Sequence, residues 1–147
     1  MNQQVFGGVN QSLRPARPLL TAMQRGFLCK CPNCGKGRLF ASFVRTVSEC
    51  DHCGEAIHHH RADDLPAYLV VVIVGHLVLG AFMGFESMFD LSLIQQLAIW
   101  IPLTIVLAIG LLRPVKGAVV GLQWALYMHG FGGEEDELET HPESDLA

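Results

Sequence analysis

Four thiols in this chain are spaced for metal chemistry. Cys31, Cys34, Cys50 and Cys53 form a C-x2-C-x15-C-x2-C pattern, the spacing of a pair of zinc knuckles. Two thiolates three residues apart in a tight turn can face one ion. Gly35 and Gly54 follow the two pairs, where glycine accepts the backbone that turns amide N–H groups back toward the sulfurs. Two such knuckles complete a closed tetrahedral site with no open position for substrate. The expected cofactor is structural zinc, with iron, disulfides or a redox pair as the alternatives. Zinc binding at about 10–16 kcal/mol would fold a segment with almost no core of its own. The intervening GRLFASFVRTVSE alternates apolar and polar residues and suits a short hairpin, as in a zinc ribbon.

Other ligand-type residues surround this set. Cys29 lies two residues before Cys31 in what reads as an extended segment, so it should point away from the ion, as a spare thiol or a transient metal-transfer ligand. His52 reads as a surface residue within the second knuckle. The run His58–His60 reads as solvated or at headgroup level, with a second metal site as the alternative. His76 stands in an apolar stretch, with Met83 one helical heptad away. An ionisable residue at such depth is a functional-site hypothesis. Its simplest role is an interhelical hydrogen bond, to the Ala98 carbonyl that Pro102 deprives of a donor or to Thr104. The alternative is a haem or copper ligand, with His76 and Met83 as the cofactor-binding pair. No nucleophile with a placed base and no phosphate-binding glycine loop is visible, so catalysis is not expected. Asp63 and Asp64 would lie across the bilayer from Glu86 and Asp90, so these acids could not act together.

The elements that must position these groups are segregated along the chain. Residues 1–64 are mixed and polar, 66–128 are dominated by apolar residues, and the end is acidic. Pro66–Phe85 and Leu93–Leu112 are each twenty residues without a formal charge, enough for a helix to cross roughly 30 Å of hydrocarbon. The short ESMFDLS connection makes them a helical hairpin. Arg61 precedes the first span, Arg113 and Lys116 follow the second, and the connection has no Lys or Arg. By the positive-inside bias both termini, and with them the cysteine module, are cytoplasmic. Asp63 and Asp64 beside Pro66 suit the start of a helix. Gly80 and Gly84 continue the His76 stripe at steps of four, which would let another helix approach closely. After Arg113, the apolar stretch to Gly130 reads as a helix along the membrane interface, about 114–129, with Trp124 and Tyr127 in the headgroup zone.

The ends carry opposite charge. Eight of the ten bases lie between Arg14 and Arg61, and seven of the fourteen acids lie between Glu134 and Asp145. Residues 131–147 have too little apolar content to offset ordering entropy and read as a disordered acidic tail. Residues 1–26, with Pro15, Pro18 and scattered polar groups, read as a flexible leader rather than a signal peptide. The domain plan is then leader 1–26, zinc-ribbon-like module 27–62, membrane domain 63–130 and tail 131–147.

CPNCGKGRLF, CDHCG, ADDLPAY, the Gly75-His76 pair, WIPLT, LLRPVKG and LQW occur in this order. Over about residues 27–128 the chain resembles the bacterial membrane family catalogued as domain of unknown function 983 (DUF983). Leu65 stands where that family is expected to carry a small residue. Relatives in some alphaproteobacteria are encoded among cytochrome oxidase subunits and assembly factors. The resemblance therefore implies an inner-membrane location and a part in building that complex.

The fold class expected is a small α-helical integral membrane protein: two transmembrane helices as a hairpin, an interfacial helix, and an N-terminal cytoplasmic zinc ribbon. The function expected is a non-enzymatic accessory or assembly factor, with membrane lipid and a membrane-protein complex as partners, cytochrome oxidase or its assembly factors being the candidates. A homo-oligomer is compatible with the glycine stripe. Metal or haem handling through His76 and Met83 is the alternative. A nucleic-acid-binding ribbon is weaker, because anionic lipid would attract the same Lys and Arg and Phe40 and Phe43 read as ribbon core. No nucleic-acid partner is expected.

Overall fold

The computed structural model describes residues 15–60 and 64–131. Three helices follow in order: α1 (Leu19–Phe27), α2 (Leu65–Glu86) and α3 (Leu93–Ala125). The cysteine module lies between α1 and α2. The acidic tail from Gly132 onward, Asp63 and the first fourteen residues lie outside the described residues.

α2 begins at Leu65 with Pro66 in its first turn, where a missing N–H costs nothing. Asp64 precedes it, but its side chain makes no capping hydrogen bond. Its contribution is the backbone carbonyl, which accepts from Tyr68 N at 3.1 Å. Leu65 is thus a helical residue, half exposed, at the place where a small turn residue was expected. α3 opens with a capping box, the Gln95 side chain reaching back to Ser92 N at 3.0 Å, which satisfies an otherwise orphaned donor.

Both α2 and α3 are long and apolar enough to cross a membrane, and their most apolar windows are only 11% and 6% buried within the chain. A soluble core helix would be covered. The two helices pack antiparallel along Val70, Val74, Val78 and Leu107, Leu111, Val115. Trp100 sits edge-on to Phe82 and Phe85 near the connecting turn.

The separate interfacial helix is not present. α3 runs unbroken for 33 residues through both Pro102 and Pro114, roughly 50 Å at 1.5 Å per residue. An internal proline removes one hydrogen bond and costs about 3 kcal/mol. Past Pro114 the helix gains more than that by packing. Val115, Gly117, Val119, Val120, Gly121, Gln123, Trp124 and Ala125 are all buried. Trp124, expected among lipid headgroups, is 4% exposed in this protein core.

The other correction concerns the flexible leader expected over residues 1–26, whose last residues form α1. A nine-residue helix is not stable alone. α1 is held because Ala22 and Gly26 meet Gly121 and Gly117 of α3 at backbone distance, with no room for a Cβ at Gly26, Gly117 or Gly121. The two helices therefore run antiparallel, four residues of one stepping against four of the other.

The cysteine module is built on three isolated antiparallel bridges, Lys30 to Arg38, Phe40 to Thr46 and Glu49 to Ala56, rather than on continuous strands. Its Leu39, Phe40, Ile57, Cys31 and Cys50 form one core with Ala22 of α1 and Val119, Val120 and Trp124 of α3. The module does not stand on metal alone. The last third of α3 is its hydrophobic floor.

Candidate metal centre

Each knuckle is a turn of the kind the spacing requires. Gly35 N donates to the Cys31 carbonyl at 2.8 Å and Gly54 N to the Cys50 carbonyl at 3.0 Å. Both glycines lie at φ +69°, a left-handed conformation that costs a side-chain-bearing residue about 1–2 kcal/mol. Gly37 passes so close to Cys50 and Asp51 that a Cβ there would collide with the Cys50 sulfur. The chain just after the first knuckle is thereby held against the second.

The four sulfurs lie within 4.8 Å of one another. Cys31 and Cys53 are 3.7 Å apart across the knuckles, as are Cys34 and Cys50. A tetrahedral ion with Zn–S bonds of about 2.3 Å requires sulfurs roughly 3.8 Å apart, so the donor set fits a metal ion of that size. A disulfide would need about 2.05 Å, and all five cysteines are free. Cys31 and Cys50 are buried, Cys34 is half-buried and Cys53 exposed.

Backbone donors and burial divide the thiols. The Gly37 amide and, behind it, that of Lys36 lower Cys34 to about 6. Lys36 N is 3.4 Å from its sulfur. Burial pushes Cys31 far above the usual thiol range, and desolvation of its sulfur also raises Cys53. Such protons leave when a metal takes the sulfurs.

Cys29 stands outside the cluster, its Sγ 3.9 Å from the Phe27 carbonyl. Its segment is not extended. Cys29 N bonds Gly26 O at 2.8 Å and Lys30 N bonds Arg25 O at 2.9 Å, a Schellman cap that closes α1. Cys29 occupies the left-handed position of that cap at φ 60°.

The histidine run does not converge on an ion. His60 Nε2 is 2.8 Å from Thr46 Oγ1, His58 Nδ1 is 3.4 Å from the Ser48 carbonyl, and His59 lies edge-on to Phe131. His52 is exposed in the second knuckle.

His76 and Met83 both lie on α2 and both are exposed. His76 Nδ1 donates to the Val72 carbonyl of its own helix at 2.7 Å. Thr104 donates to Trp100 O at 2.7 Å, so this hydroxyl serves its own helix. Gly75, Gly80 and Gly84 have open space where a Cβ would project.

A polar cluster ties the module to α3. Glu55, directly after the second knuckle, accepts from Trp124 Nε1 at 2.8 Å through one oxygen and from Asn33 Nδ2 at 2.8 Å through the other. Arg17 approaches Glu55 at 3.9 Å, donates to the Trp124 carbonyl at 2.7 Å, and lies over the Trp124 and Tyr127 rings. None of these residues has metal-ligand spacing. The available signals were Glu55 abutting the CxxCG motif and a tryptophan within LQW.

The family model for proteins of unknown function DUF983 matches residues 40–124, more than half of the chain. The chain belongs to this family. The matched span contains the second cysteine pair, both long helices and Trp124, whereas Cys31, Cys34 and α1 precede it. In this DUF983 protein the family segment therefore supplies half of the thiolate set, and residues before it supply the rest. No curated protein and no solved structure matches the chain.

Proposed function

We propose that this DUF983 protein is a non-enzymatic accessory or assembly factor of a bacterial inner-membrane complex, with cytochrome oxidase as the candidate. It would hold a structural zinc in a ribbon-like module on the cytoplasmic side of a two-helix anchor. The carrying observation is the shared core of the cysteine module and the last third of α3. A module fused to its anchor has a fixed height and orientation above the bilayer, which suits docking onto a membrane partner. A flexibly tethered ribbon would not need it. The bases Arg113 and Lys116 beyond the apolar part of α3 support the cytoplasmic assignment by the positive-inside bias. The test is affinity purification of the full chain from native membranes in mild detergent. Specific recovery of oxidase subunits or assembly factors is the expected result. Recovery of the protein alone would overturn it.

A second reading, metal or haem handling, is favoured by one observation: His76 gives its Nδ1–H to a backbone carbonyl, the outer contact that metal-ligating histidines usually make. Met83 is on the same helix and also exposed. Elemental analysis and absorption spectra separate the readings. A haem band or second metal lost in His76→Ala supports handling; one metal per chain, unaffected by that change, removes it.

A further inference from the structure

The cysteine module has an exposed apolar face at one end, and two independent elements place it there. α1 steps down α3 from Ala22 against Gly121 to Gly26 against Gly117. Phe27 and Leu28, the last residue of α1 and its cap, follow Gly26 in the same direction, toward Arg113, where the uncharged stretch of α3 ends. Both are exposed, at 46% and 65%. The hairpin-like turn behaves likewise. Leu39 lies against Gly117 and Phe40 under the Arg113 guanidinium, 5.2 Å from its carbon to the ring. Successive residues thus approach the apolar part of α3. The turn closes through Ala41 N to Arg45 O at 2.8 Å, and at its tip Phe43 is 48% exposed.

Single exposed apolar residues are ordinary on a protein surface. Here three of them come from two separate elements, the end of α1 and the turn after Phe40, and each follows residues that pack beside Gly117 or Arg113, next to the uncovered apolar stretch of α3. Exposed Lys30 and Arg45 stand two residues after Leu28 and Phe43 in the chain, and Arg113 and Lys116 follow the uncharged stretch of α3. Apolar tips with cations just behind match the acyl boundary and the anionic headgroups of a bilayer.

We infer that this face, formed by Phe27, Leu28 and Phe43 with Lys30 and Arg45, rests on the bilayer surface beside α3, making the cysteine module a lipid-contacting element in its own right. The inference rests on the reading of α2 and α3 as membrane spans. Phe43 and Leu28 enter the headgroup–acyl boundary, while the thiolate cluster is held above it.

Photocrosslinking tests this with the full chain in nanodiscs of phosphatidylcholine and phosphatidylglycerol, p-benzoylphenylalanine replacing one residue at a time. Positions 28 and 43 test the face, and position 79, exposed on α2, reports the span. Position 20, equally apolar and 73% exposed but at the opposite end of α1, is the control. The expected result is lipid adducts at 28, 43 and 79, several-fold above those at 20. Adducts at 79 but not at 28 and 43 would overturn the inference and leave the span intact. Absence at 79 would overturn the span, and the inference with it. Adducts at 20 as strong as at 28 would mean nonspecific lipid contact and would also overturn it. Since every position is exposed, each variant should keep the metal content of the parent, which is checked before irradiation.

Discussion

Trp124 donates its indole N–H to Glu55 at 2.8 Å across sixty-nine residues of sequence, joining the turn after the second knuckle to the last turn of the long helix. The indole is 4% exposed, so its donor has to be satisfied by protein. Glu55→Ala should leave that buried N–H unpaired and cost about 1–3 kcal/mol. Trp124→Phe removes the donor together with the need for it. The double variant should then be less destabilised than the sum of the singles. Denaturation of the detergent-solubilised chain measures this, and simple additivity would mean that the bond carries no coupling.

The glycines divide into two classes with opposite expected outcomes. A Cβ at Gly117 would meet the Gly26 backbone, and one at Gly121 would meet that of Ala22, whereas Gly75, Gly80 and Gly84 face open space. Gly117→Ala should therefore displace α1, costing about 1–3 kcal/mol as overpacking does, and expose the Arg25–Gly26 bond to trypsin. Gly80→Ala should leave that cleavage pattern unchanged. Equal protease resistance of the two variants would contradict the α1–α3 packing.

Cys29 offers a stabilising change. It holds the left-handed position of the α1 cap at φ 60°, where glycine is the usual residue. Cys29→Gly should raise stability by up to ~1 kcal/mol, offset in part by lost side-chain packing, and leave the metal stoichiometry unaltered. Loss of bound metal in this variant would place Cys29 among the ligands.

What could be read in the sequence follows from how local each signal is. The thiolate set, with its glycine turns, is written in short spacings, and the two long helices in continuous apolar runs. Both appear in the structure. α1 was missed because what holds it is a lack of side chains. Ala22 and Gly26 face Gly117 and Gly121 at matching four-residue steps, which an apolar stripe cannot reveal. The continuation of α3 past Pro114 was missed for a related reason. Arg113 and Pro114 are local stop signals, and only the tertiary core under Val119, Val120 and Trp124 outweighs them. The sequence alone groups Phe40 and Phe43 together as core. The structure separates them, one 3% and the other 48% exposed, because Phe43 stands at the tip of the turn that begins after Phe40.

Acid should release the metal, and the thiols determine how steeply. Metal-free, Cys31 and Cys53 hold their protons above the usual thiol range because burial and desolvation disfavour the thiolate. A metal ion held by the four sulfurs requires both as thiolates, so at least these protons are expelled on binding near pH 7. Affinity should then fall by at least roughly a hundredfold for each unit of acidification. Cys34, lowered to about 6 by the Gly37 and Lys36 amides, is already ionised at neutral pH and adds its own proton only below that value. The dependence should therefore steepen as pH falls through about 6. Competition with a zinc-binding indicator, with the buffer protons counted by calorimetry, measures both slopes. In Cys31→Ser a buried ligand is lost, so metal should dissociate and the core shared with α3 should loosen. A pH-independent affinity, or unchanged zinc in Cys31→Ser, would show that the four sulfurs do not hold the ion.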